Sequence, residues 1–442
     1  MYFKLAFRNA KRSIFDYLLY ITTMTILIAI MCISNYIAVF GDMQARFQTA
    51  SLPLLIVLIM VALVNYINTF MMKQRAKEFA NYLLLGMEKS KLSKMLLLEF
   101  CFIGVVCLFL GGLIGTGAYL AVFSYTLQGT KIQIQLITKS ILQTLFFFSI
   151  VEILSIFRMK QKIYRLQICE LMNEKRRNQP LEMDRKTFWA FLFVISFFSL
   201  FLLLWGIVFL PENIVFTIIS FISIPLLCCV FAFYKWMYAY FSSKRLLQSE
   251  DLYQGNRLYR IAEMTTGTKT SALMNAIFCI CLLFSTMAFV FGTLLLNTKI
   301  NIFASANQQW MGFLQISLCI IFITIYFSIL SLQQIVELKW QAKNICVLYY
   351  MGKSQAQIKS LIKTQVILNL FLPTLMYFAL LWIGVPFINH KMNMALPIIV
   401  QNSLIKAVVG FIVCFAILYL CYFLIVYIIS KHYVKTVIKL KL

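Results

Sequence analysis

Acidic residues are what this sequence lacks most: 442 residues carry 15 Asp and Glu against 40 Lys and Arg, with two histidines and seven prolines. His390 and His432 stand in different segments, neither near an acid and a nucleophile, so no hydrolytic triad can be drawn. A phosphate-binding G-x-x-x-x-G-K-[ST] loop is missing as well. The nearest strings, "GMEKSKLSK" and "GTKTS" (267–271), lack the first glycine at the required spacing, which excludes P-loop nucleotide hydrolysis by this chain. Twelve cysteines are present, and those such as Cys32, Cys107, Cys228, Cys229, Cys279, Cys281 and Cys414 sit in apolar runs, with Cys169 and Cys346 in basic segments. That placement predicts neither a disulfide framework nor a metal site. No low-complexity tract occurs, and no polar stretch is long enough for a separate folded domain.

What fills the chain is apolar. Hydrophobic residues make up 62% and charged residues 12%, with a mean hydropathy of +0.86. Apolar runs of roughly twenty residues match the hydrocarbon thickness of a bilayer. Ten spans are predicted, near 17–39, 52–72, 98–123, 141–157, 188–210, 214–236, 273–296, 310–332, 366–388 and 405–429. The first follows a basic start, "MYFKLAFRNAKR", with no small-residue cleavage site after it, and reads as a retained span.

The segments between spans alternate in charge. All of the 40 basic residues except Arg46, Lys131, Lys139, Lys299, Lys391 and Lys406 fall on one side. The positive-inside rule then puts both termini in the cytoplasm. It also accounts for the net charge of +25 without nucleic acid, since basic loops face anionic headgroups. Trp189, Trp310, Trp340, Tyr17 and Tyr427 stand near span ends, as interface anchors do.

One inner segment recurs. "KQRAKEFANYLLLGMEKSKLSKMLLLE" (73–99) aligns without gaps on "KWQAKNICVLYYMGKSQAQIKSLIKTQ" (339–365), so that Lys73 meets Lys339, Ala76 meets Ala342, Lys77 meets Lys343 and Gly86 meets Gly352. Leu92 then meets Ile358, and Met95 meets Leu361. Each copy joins an inward-running span to an outward-running one. The halves are six spans apart, an even number, so they run in the same sense, unlike the inverted repeats of many secondary transporters.

In the first copy, Phe79, Tyr82, Leu83 and Leu85 can form an apolar stripe while Lys77, Glu78 and Asn81 stay wet. Gly86 suits a left-handed helix end, and Glu88 stands near the start of the next helix, where its charge favours the dipole. The expected product is a helix–turn–helix knob tipped by Leu84, Leu85, Gly86 and Met87. It reads either as a membrane-surface connector or as a docking element for a partner.

"RNAKRSIFDYLLYITT" (8–23), "RAKEFANYLLLGMEKSKLSKMLLLE" (75–99) and the weaker copy at 341–365 resemble the FtsX-like permeases of ABC transporters. The likeness is to the ten-span type of antimicrobial-peptide resistance and bacteriocin-immunity systems. The first copy matches that pattern at Lys77, Glu78, Phe79, Gly86, Met87 and Glu99; the second keeps Lys343 and Gly352, with Asn344 and Gln365 where acids would stand.

The resemblance implies an all-α polytopic membrane protein of about ten transmembrane helices, with two parallel four-helix halves joined by two linker spans. The divisions are 1–157, 158–250 and 251–442. It implies a non-enzymatic permease subunit of the bacterial cytoplasmic membrane. ATP and Mg would be held by a separate, dimeric ABC ATPase, and this chain would bind no cofactor. The ATPase would be met by Lys77, Glu78, Phe79, Leu84, Leu85, Gly86, Met87 and Glu88, and by Lys343, Tyr350, Met351, Gly352 and Lys353.

A membrane-active peptide or lipid-associated molecule is the implied substrate. A scaffold working with a sensor histidine kinase is the alternative, and a secondary transporter a more distant one. Relatives of this type carry a large extracellular domain between the seventh and eighth spans, where this chain has only "NTKINIFASANQQ" (297–309).

Glu152 lies at membrane depth, where ionisable residues mark function by default, and Glu99 lies at the inner boundary of the third span. Glu152 is expected to pair with Arg158, and Glu99 with Lys94, Lys91 or a mobile helix. Gly111, Gly112, Gly115 and Gly117 ("GGLIGTG") follow no strand and read as small residues for close helix packing, not a nucleotide loop. Pro225 and Pro373 are expected to kink their spans.

Overall fold

The structure, a computed structural model, describes residues 14–45, 75–126, 134–165, 186–209, 212–246, 268–297, 305–395 and 401–439, position 261, and positions 57, 60, 61, 64, 65, 68, 69, 71 and 72. Ten helices carry the described chain: α1 (Ile14–Ala45), α2 (Ala76–Leu84), α3 (Lys89–Thr126), α4 (Ile134–Arg165), α5 (Lys186–Phe209), α6 (Glu212–Leu246), α7 (Thr268–Leu296), α8 (Ser305–Tyr350), α9 (Gln355–Ala395) and α10 (Ser403–Lys439). No strand occurs among the described residues.

Hydrocarbon offers no hydrogen bonds, so a spanning backbone must satisfy itself, and helices do so internally. Among the described residues eight helices, α3 to α10, are long and apolar enough to cross a membrane. They coincide with the third to tenth spans expected from sequence. The first falls on α1, whose apolar centre is Ile21–Tyr36. Most of the second lies outside the described residues; the positions described within it are helical. The chain is an all-α polytopic membrane protein.

It divides into two compact units, Met1–Asn178 with Phe327–Leu332, and Gln179–Tyr326 with Gln333–Leu442. In the first, α1, α3 and α4 pack mutually. Without an apolar driving force between helices in lipid, close approach depends on small residues. Gly111 and Gly115 supply it: a Cβ on Gly111 would sit 2.8 Å from the Thr25 carbonyl oxygen, and one on Gly115 2.7 Å from Cys32 Cβ. Gly112 and Gly117 face open space. Asn35 Nδ2 donates to Thr144 Oγ1 at 2.9 Å, tying α1 to α4, and Asn68 Nδ2 donates to Ser155 Oγ.

The second unit repeats the scheme, with α7, α9 and α10 mutually packed and the α5–α6 pair added against α7 and α9. Gly292 lies against Ile316 and Gly312 against Leu296, so α7 and α8 also meet at glycines. Both α6 and α9 continue as single helices past Pro225, Pro373 and Pro386. At Pro373 tyrosines supply extra donors: Tyr234 donates to the Pro373 carbonyl at 2.8 Å, and Tyr419 donates to that of Leu370. Asn402 opens α10 in the left-handed region (φ 61°). It accepts bonds from Asn389 and Asn393 of α9 at 3.1 and 2.9 Å.

The glycine packing has a built-in control. Gly111→Ala with Gly115→Ala should destabilise the first unit by on the order of 1–3 kcal/mol through overpacking. Gly112→Ala with Gly117→Ala should leave it unchanged, as thermal unfolding in detergent would show.

Candidate functional site: two matching turns

The two repeated segments are built alike, bond for bond. After α2, Leu85 N–H donates to Asn81 O (3.0 Å), Gly86 N–H to Leu83 O (3.1 Å) and Met87 N–H to Tyr82 O (3.0 Å). After α8, Met351 N–H donates to Val347 O (3.0 Å), Gly352 N–H to Tyr349 O (3.0 Å) and Lys353 N–H to Leu348 O (3.2 Å). Every donor and acceptor is shifted by the sequence offset that relates Gly86 to Gly352. Nested bonds of this kind satisfy the last carbonyls of a helix around a left-handed residue. Gly86 and Gly352 both have φ of 88°, which glycine adopts without steric cost.

Burial repeats too. Leu92, Met95, Leu96 and Glu99 are buried on one face of α3, and Ile358, Leu361, Ile362 and Gln365 on the matching face of α9. At the tips, Leu85 is 84% and Met351 76% exposed, flanked by the exposed Leu84 and Tyr350. Met87 and Lys353 are half-buried, and both glycines are exposed.

The entry to the second helix differs. After the second turn, Ser354 and Gln357 form a capping box, with Gln357 N–H donating to Ser354 Oγ at 3.3 Å and Ser354 N–H to Gln357 Oε1 at 3.2 Å. In the first, Glu88 takes the Ser354 position. It receives Lys91 Nζ at 3.3 Å and Ser90 Oγ at 3.1 Å, bonds that hold its carboxyl below the usual carboxylate range.

The apolar face of α2 also differs from expectation. Phe79 and Ala80 are buried and Tyr82 and Leu83 half-buried, while Leu85 points to solvent. As the helix C-cap it lies past the last turn and off the stripe. Glu78 is exposed. Lys77 and Lys343 lie within α2 and α8, but their side chains fall outside the described residues, as does that of Asn344.

Both acids have other surroundings than expected. Glu99 does not pair with Lys91 or Lys94: Arg75 Nη1 donates to Glu99 Oε1 at 2.8 Å, with the two side chains 3% and 0% exposed. Arg75 Nε also donates to Glu78 at 2.9 Å, and its guanidinium lies over the Phe79 ring at 5.4 Å. Lys91 is engaged by Glu88 instead, and Lys94 stands roughly 140° around α3 from Glu99.

Glu152 makes no ion pair with Arg158, which is exposed; six residues place them about 120° apart around α4. Its carboxylate rests instead on bare backbone of α3, where a Cβ on Gly104 would come within 2.6 Å of Oε1. Sequence reasoning missed Arg75 as a partner. Its signal was position, a lone arginine at the root of an apolar helix.

Residues 50–168 match the FtsX-like permease C-terminal family. The matched stretch contains the first turn, α3 and α4 and ends before the second unit, so the second turn is related to it by the internal repeat. No curated protein matches the chain. An FtsX-like segment among helices long enough to span a bilayer supports a membrane subunit of the ABC-transporter type.

The turn geometry makes its own prediction. Gly86→Ala and Gly352→Ala should each cost the turn on the order of 1 kcal/mol, the left-handed penalty of a side chain. Amide exchange at Met87 and Lys353 should accelerate accordingly, with the spans unaffected.

Proposed function

We propose that this chain is the permease subunit of a bacterial ABC transporter, working with a dimeric ATPase that holds ATP and Mg. The observation carrying the reading is the bond-for-bond repeat of one exposed, apolar-tipped turn at the start of α3 and of α9. A two-fold ATPase offers two equivalent grooves, and two equivalent turns on one chain suit them. The positive-inside rule supports placing both turns, and both termini, on the cytoplasmic face.

Closure of the ATPase around ATP moves the turns, and movement passes into α3 and α9, whose buried faces begin in the first turn of each helix, at Leu92 and Ile358. The cargo class that best suits a chain rich in lipid-facing helices is a membrane-active peptide or lipid-linked antimicrobial, expelled or stripped from the bilayer. Resistance or bacteriocin immunity is the corresponding role.

Leu85→Lys combined with Met351→Lys tests the docking claim, because both side chains are exposed and their replacement leaves the fold intact. Co-purification of the ATPase should fall at least about tenfold, as loss of interface anchors does. Undiminished binding by a variant with native helicity sinks the assignment.

A further inference from the structure

We infer that Arg75 is a positioning residue that welds the first coupling turn to α3, and that the second turn lacks this weld, so the two turns transmit force unequally. This rests on the ATPase-facing reading only for its second measurement.

Arg75 sits at the root of α2. Its guanidinium is buried and reaches both sides of the turn: Glu78 on α2 at 2.9 Å and Glu99 on α3 at 2.8 Å. A charge-assisted bond between buried partners is about twice as strong as a neutral one. The knob helix and the span are therefore joined by side chains as well as through the turn's backbone. Phe79, under the guanidinium, adds a third contact on the same helix.

At the offset that matches the turns, Arg75 corresponds to Gln341, Glu78 to Asn344 and Glu99 to Gln365. All three charged positions of the first copy are neutral amides in the second. For the buried pair, Arg75 and Glu99, a joint change is what burial requires: a carboxylate left buried without its cation is strongly unfavourable, whereas an amide of similar shape is not. Gln365 is as buried on α9 as Glu99 is on α3. The second half thus keeps the turn and the packing face but not the charge.

Full-length protein in lipid nanodiscs, followed by amide exchange, tests this. The variant Arg75→Gln with Glu99→Gln carries the second half's own residues at both positions and leaves no buried charge. In the native chain, residues 76–87 should exchange more slowly than 342–353. In the double variant, exchange over 76–87 should rise about tenfold, the loss expected of a charge-assisted bond, while 342–353 stays unchanged. Arg75→Gln alone strands the buried Glu99 carboxylate and should disturb α3 as well, whereas Glu99→Gln leaves Arg75 on Glu78, so the double variant should be more stable than Arg75→Gln. Equal protection of the two native segments, or no change in the double variant, overturns the weld.

With the ATPase bound and trapped by ATP and vanadate, exchange at the start of α3 should respond in the native chain. In the double variant, which keeps both tips, the ATPase should still bind, but α3 should respond several-fold less. A native-like response of α3 in that variant refutes unequal transmission. If no ATPase binds the native chain, the docking proposal falls, and the exchange comparison still decides the weld.

Discussion

A helix can end and reverse only if its last carbonyls find donors beyond the helix, and at both repeated reversals the left-handed glycine meets that constraint. Gly86 and Gly352 let the chain fold back within four residues, so that the N–H groups of Met87 and Lys353 reach Tyr82 and Leu348. Everything else about the two segments follows from the fold-back. The apolar residues just before each glycine are thrown outward, and the helix just after it begins at once with a buried face. A Cβ there would strain the turn by about 1 kcal/mol, because a side chain disfavours the left-handed region.

The two halves then diverge in how firmly that turn is held. In the first, a buried arginine ties helix to helix; in the second, the sequence has amides at the corresponding positions. Elsewhere the halves rely on the same device for helix contact. The bare backbone at Gly111 and Gly115 admits α1, and Gly292 and Gly312 admit α8 and α7 to each other. Hydrocarbon gives no reward for burying leucine against leucine, so the few small or polar residues set where helices touch. Asn35 with Thr144, and Tyr234 and Tyr419 around Pro373, are such contacts.

Much of this could be read from particular residues. The apolar runs mark eight of the spanning helices closely, because span length is set by the bilayer. "GGLIGTG" reads as a packing surface, although pattern could not say that Gly111 and Gly115 touch α1 while Gly112 and Gly117 do not; only the rotation of α3 separates them. Gly86 is legible as a helix end because few residues tolerate its φ. The partners of Glu99 and Glu152 are not legible, since distance along the chain says nothing about which neighbouring helix brings a cation or a bare glycine backbone to a carboxylate.

By itself, then, the sequence determined helix, span and turn: these follow from local hydrophobicity, from the run of basic residues between spans, and from glycine at two matched positions. The pairing of Arg75 with Glu99, the seat of Glu152 against Gly104 and the tyrosine donors at Pro373 were decided only by tertiary structure. Each depends on two helices meeting at a particular rotation, and that rotation is set by packing across the bundle, which no one segment encodes.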